Sequence, residues 1–67
     1  MKDAALKKVE YSIGEMDLYQ LPLSPHQWAS GYLVGLLEAG ALSEKDRDEF
    51  QAKLDRHLFS KIEPNPL

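Results

Sequence analysis

The sequence predicts a small, mainly α protein, a helical hairpin with an N-terminal segment packed across it. Three observations carry this. A set of helix-start signals sits at Leu23-Ser24-Pro25-His26-Gln27-Trp28. A glycine stop and a second cap follow one another at Gly40-Ala41-Leu42-Ser43, and Phe50, Leu54 and Leu58 then recur at i, i+4, i+8. The 67 residues make one domain, read as an N-terminal segment (1–23), the hairpin (24–60) and an extended tail (61–67).

The N-terminal segment fits two templates. As a helix capped by Asp3, it places Leu6, Val9, Ile13 and Met16 on one face. As a β-hairpin, it turns at Gly14-Glu15 and puts Val9, Tyr11, Ile13, Met16 and Leu18 on one side. The AALKKVE run has high helix propensity and an isolated two-stranded hairpin is barely stable in water, which favours the helix.

The first helix of the hairpin is expected from Pro25 to about Ala39. Ser24 reads as N-cap, Pro25 as the first helical residue and Gln27 as the far side of a capping box, with Leu23 and Trp28 as its staple. Gly40 is the expected C′ stop. The second helix is expected from Glu44 to about Ser60, with Ser43 as N-cap and Asp46 three residues on. Its carboxylates come early and Arg56, His57 and Lys61 come late, as the macrodipole favours, and Glu49 and Lys53 form an i, i+4 pair. The tail Glu63-Pro64-Asn65-Pro66-Leu67 cannot continue a helix.

Within these helices, the pattern L-x-x-L-L-x-A-G-x-L-S…E-F-x-x-K-L is carried by Leu33, Leu36, Leu37, Ala39, Gly40, Leu42, Ser43, Glu49, Phe50, Lys53 and Leu54. It resembles, over under half the chain, the short helical hairpins called SHOCT domains. Phe50 stands later after the cap than in that family, so no function is carried over.

Function is read from what the first helix leaves uncovered. From Trp28 to Leu42 only Ser30 and Glu38 are conventionally polar, and a helix apolar around most of its girth needs cover around most of it. A domain this small buries only about 60% of its unfolded surface and usually needs a staple. With no cysteine and two histidines, neither a disulfide nor a zinc site is expected, so association is the remaining staple. The candidate interface is Gly31, Gly35 and Ala39, a smooth groove at i, i+4, i+8, together with the parallel row Trp28, Tyr32 and Leu36. The groove seats another segment of the same chain, meets a second chain or, least favoured, takes a small molecule. In the first two cases Gly35→Leu is expected to overlap a neighbour and cost about 1–3 kcal/mol. The carboxylates Glu44, Asp46, Asp48 and Glu49 form a candidate acidic patch for a basic target.

No catalytic, metal or cofactor residue is assigned, because no nucleophile elbow, phosphate loop or metal-ligand spacing occurs. His57 suits the end of its helix, while His26 is expected neutral and exposed. Net charge −3 with scattered lysines disfavours nucleic acid and anionic membranes. The expectation is a cytoplasmic, non-enzymatic protein-interaction module, a homodimeric regulator or inhibitor with a protein partner. The alternative is a small nucleic-acid-binding transcriptional regulator.

Overall fold

The structure, a computed structural model, describes residues 2–18 and 23–62, the last by its backbone alone. Three helices follow one another: α1 (Lys2–Leu18), α2 (Leu23–Glu38) and α3 (Glu44–Ile62). Their pairings fix the topology. Lys2, Glu10 and Asp17 of α1 reach Asp46, Lys53 and Lys61 of α3 in the same chain order, so α1 and α3 run parallel. His26 and Ser30 of α2 meet Asp55 and Gln51 of α3 in reverse order, so α2 runs against both. The result is an up–down–up bundle.

The N-terminal segment is helical over Lys2–Leu18 and no strand occurs among the described residues, so the β-hairpin alternative is not what forms. Gly14 and Glu15 lie inside α1, and the hairpin's far end at Tyr19-Gln20 falls outside the described residues, as does the tail from Glu63. The helix wins because it satisfies its own backbone while its apolar face closes the core that α2 and α3 leave open. That face is turned slightly from the expected one. Ala5, Val9, Ser12 and Met16 are buried, while Leu6 and Ile13 flank the core half-buried. Ala5 and Ser12 are the small members of that buried face, alternating along it with the larger Val9 and Met16.

α2 begins at Leu23, so Ser24 lies within its first turn and does not cap it. Pro25 is buried there at no cost in hydrogen bonds, because first-turn N–H groups have no partner inside the helix. The other end is as expected. Gly40 takes φ 74°, its N–H donates to the Leu37 carbonyl at 3.0 Å, and the Ala41 N–H donates to the Leu36 carbonyl at 2.9 Å. This Schellman pair reverses the chain in a few residues. Gly40→Ala should therefore cost about 1–2 kcal/mol, the penalty of a Cβ in the left-handed region, read as a lower urea midpoint. Ser43 caps α3, its Oγ accepting from the Asp46 N–H at 3.1 Å.

The core joins Phe50, Leu54 and Leu58 of α3 to Ala29 and Leu33 of α2 and to the α1 face, with Leu42 buried at the turn. The i, i+4, i+8 row read from the sequence is the buried face of α3.

Candidate interaction surface

The girth of α2 divides into three strips. Pro25, Ala29 and Leu33 face inward, and His26 and Ser30 face α3. Gln27, Trp28, Gly31, Val34, Gly35 and Glu38 face solvent. Of the candidate interface, Trp28, Gly31, Gly35 and Ala39 are exposed, whereas Tyr32 and Leu36 are half-buried against the chain's own core. A Cβ added at Gly31 or Gly35 would meet nothing within 4 Å. The groove therefore seats no other segment of the described chain, and the expected overlap for Gly35→Leu does not arise. The sign reverses: Gly35→Ala should stabilise the fold by roughly 0.5–1 kcal/mol through helix propensity alone, visible as a higher melting temperature.

Beside the glycines, the Trp28 indole is 54% exposed. It stacks on Tyr32 with ring centroids 5.6 Å apart and planes 4° from parallel. The Lys8 ammonium of α1 lies 5.8 Å from the indole centroid. Stacking and cation–π contact hold the ring in place while leaving part of it open to a partner. A shallow depression of about 280 Å³ adjoins it, lined by Tyr11, Ser12, Glu15, Ser24, Pro25 and Trp28.

The α2–α3 side is polar and fastened. His26 Nε2–H donates to Asp55 Oδ1 at 2.7 Å, and Gln51 Nε2–H donates to the same oxygen at 3.0 Å and to Ser30 Oγ at 2.9 Å. The Ser30 hydroxyl donates to the His26 carbonyl at 2.9 Å. His26 is thus mostly buried, contrary to the exposed placement expected from the sequence. Serine, histidine and aspartate meet here, but a hydrolytic triad sets the imidazole between carboxylate and hydroxyl. Here the serine proton is taken by a carbonyl and His26 Nδ1 is buried without a partner among the described residues, so the cluster ties α2 to α3. No local signal marks this link, since its ends are 29 residues apart.

On the α1–α3 side, Lys2–Asp46 (3.3 Å), Glu10–Lys53 (3.8 Å) and Asp17 with both His57 (2.9 Å) and Lys61 (2.8 Å) form a ladder. His57 therefore has a carboxylate partner beyond its place near the helix end, and Lys53 reaches Glu10 of α1 where the sequence predicts Glu49. In the acidic patch, Asp46 is engaged by Lys2 and Asp48 lies 3.0 Å from Arg47, while Glu44 and Glu49 are exposed.

Burial raises the Asp55 carboxyl, but hydrogen bonds from His26 and Gln51 outweigh it and hold the group below the ordinary aspartate range. Asp17 is held low by its hydrogen bond with Lys61, then by His57. Both stabilise the native state above the unfolded aspartate pKa of about 4, and that stability is lost as pH falls through their lower native values. Melting temperature should accordingly drop on acidification below about pH 4. The drop should be shallower in Asp55→Asn, and an equal slope in that variant would remove Asp55 from the effect.

The fold and its surfaces define a class by architecture, a three-helix up–down–up bundle with an aromatic outer strip. Set against known proteins, the chain matches no family model, no curated protein and no solved structure. Among the described residues, no helix is long and apolar enough to cross a membrane.

Proposed function

We propose that this protein is a non-enzymatic protein–protein interaction module, a small cytoplasmic, homodimeric regulator or inhibitor that works by occupying a surface on another macromolecule. The outer strip of α2 supports this best. It exposes a tryptophan, the residue type that most often anchors interfaces, although the core beneath it is already closed by Ala29 and Leu33. Beside it, Gly31 and Gly35 leave room for a partner's backbone. Each carries a helix-propensity cost of roughly 0.5–1 kcal/mol that no packing within the described chain recovers. Glu44, Asp48 and Glu49 offer a second, acidic contact for a basic target. The nucleic-acid alternative is less well supported, because α3 opens on carboxylates where a recognition helix carries basic and amide groups.

The test is a photo-reactive residue at Val34, in the middle of the strip. A discrete adduct with another protein, lost on Trp28→Ala, is the expected result. Adducts with this chain alone would make the strip a self-association face, and no adduct at any concentration would remove it as a binding surface.

A further inference from the structure

The depression beside Trp28 lies between α1 and the start of α2. Ser12 and Pro25 are buried and form its base, while Tyr11, Ser24 and Trp28 are exposed and form its rim. Apart from the hydroxyls this wall is apolar, the kind of surface that packs along the methylenes of a long side chain. Glu15 is the one charge on it. The residue is half-buried yet has no ion pair among the described residues, whereas Glu10 and Asp17 of the same helix are tied to Lys53 and to His57 and Lys61. Ser12 and Ser24 likewise make no side-chain hydrogen bond among the described residues. A carboxylate partly withdrawn from water gains from a cation brought to it, and hydroxyls beside it add acceptors for N–H groups.

We infer that this depression is a socket for an arginine side chain of the protein target, with the Glu15 carboxylate pairing with its guanidinium. This rests on the protein-interaction reading above and names the chemistry of the contact. At about 280 Å³ the space is smaller than the roughly 300–1,000 Å³ of small-molecule sites, so it suits one side chain of a docked surface. The stem of that side chain packs on Pro25 and Trp28. Its head carries five N–H donors in a planar fork, which engages a carboxylate and hydroxyls together where a lysine ammonium brings a point charge. Tryptophan and arginine are also the residue types that dominate interface energetics. The net charge of −3 draws a basic surface toward the chain. Lys8 does not compete for the space. Its ammonium lies over the indole, one turn nearer the start of α1, and is not part of the lining. An anion at the head of α2 would have the helix dipole in its favour but would face Glu15 with no cation on the lining.

An NMR titration of the full chain with N-acetyl-arginine amide tests this. It is followed at the indole N–H of Trp28, the chain's one tryptophan, and at the backbone N–H of Glu15. Both signals should move together and saturate. N-acetyl-citrulline amide, nearly the same shape without the charge, should bind about tenfold more weakly or worse, with the lysine derivative between the two. Glu15→Gln should raise the Kd for the arginine derivative by about tenfold, while Glu49→Gln, an exposed carboxylate elsewhere, should leave it within about twofold. Wild-type dispersion of the amide signals shows that each variant folds. No movement of either signal up to the solubility of the probe, an equal response to citrulline, or an unchanged Kd in Glu15→Gln overturns the socket. An equal Kd for the lysine derivative overturns the choice of arginine. Movement with inorganic phosphate in place of the guanidinium makes the depression an anion site and overturns the inference as well. The cross-link at Val34 separates this from the reading it rests on. An adduct without arginine binding removes the socket alone, and arginine binding without an adduct overturns the protein target.

Discussion

Phe50→Ala is expected to leave much of the protein unfolded at room temperature. Phe50 is buried at the start of the α3 row and packs with Leu54 and Leu58 into the core shared by all three helices. Truncating a core phenylalanine costs about 3–5 kcal/mol, from lost transfer energy and the cavity left behind. Stability of roughly 0.05–0.15 kcal/mol per residue gives a chain of this length only about 3–10 kcal/mol in all. The loss is therefore comparable to the whole. Urea unfolding followed by circular dichroism should show a midpoint near zero denaturant, with both chains held at one concentration because association adds to stability. Phe59→Ala is the control. Its ring is 54% exposed on the outer side of the same helix, so its midpoint should move little. A near-native midpoint for Phe50→Ala would remove the α3 row from the core and with it the packing that orients every surface described above.

The reason α3 was legible in advance is that its signals are local. A cap, a run of early carboxylates and an apolar residue every fourth position all lie within one helix, and the Gly40 turn needs only its own backbone to close. α1 was ambiguous for a physical reason: Val9, Ile13 and Met16 satisfy a period near 3.6, and with Tyr11 and Leu18 they also satisfy a hairpin's alternation. What decides between them is the open side of the α2–α3 pair, which is tertiary. Its buried face lies a little off the one its apolar spacing marks, because Ala5 and Ser12, small and in one case polar, do not announce themselves as core. At the candidate surface, Trp28 was found by residue type and by its place at a helix start. The outward turn of Gly31 and Gly35 was not, since small residues look the same whether they admit a neighbour or face water. The His26–Asp55 bond joins two helices that only the fold brings together, and neither residue carries a local sign of the other.

A chain lacking residues 1–18 is expected to lose cooperative folding altogether. α1 supplies Ala5, Val9 and Met16 to the core and covers Leu33 and Leu54, both fully buried, from the third side. It also holds α3 through Lys2, Glu10 and Asp17, although such exposed pairs contribute little beside the apolar cover. What remains is a 49-residue chain whose helical hairpin has one apolar face open, close to the size below which a chain without disulfide or metal does not hold a core. The His26–Asp55–Gln51–Ser30 cluster would then be the polar fastening between its helices beside a half-uncovered apolar contact, and hydrogen bonds of this kind add only about 1 kcal/mol each. The truncated chain should show a broad, weak thermal transition where the full chain melts sharply. Adding a peptide of residues 2–18 should restore part of the sharp melt, since a 17-residue helix that is marginal alone gains its stability from docking. A sharp melt in the truncated chain itself would mean that α2 and α3 bury enough by themselves. α1 would then be an attached arm, and its outer face would owe its form entirely to what it binds.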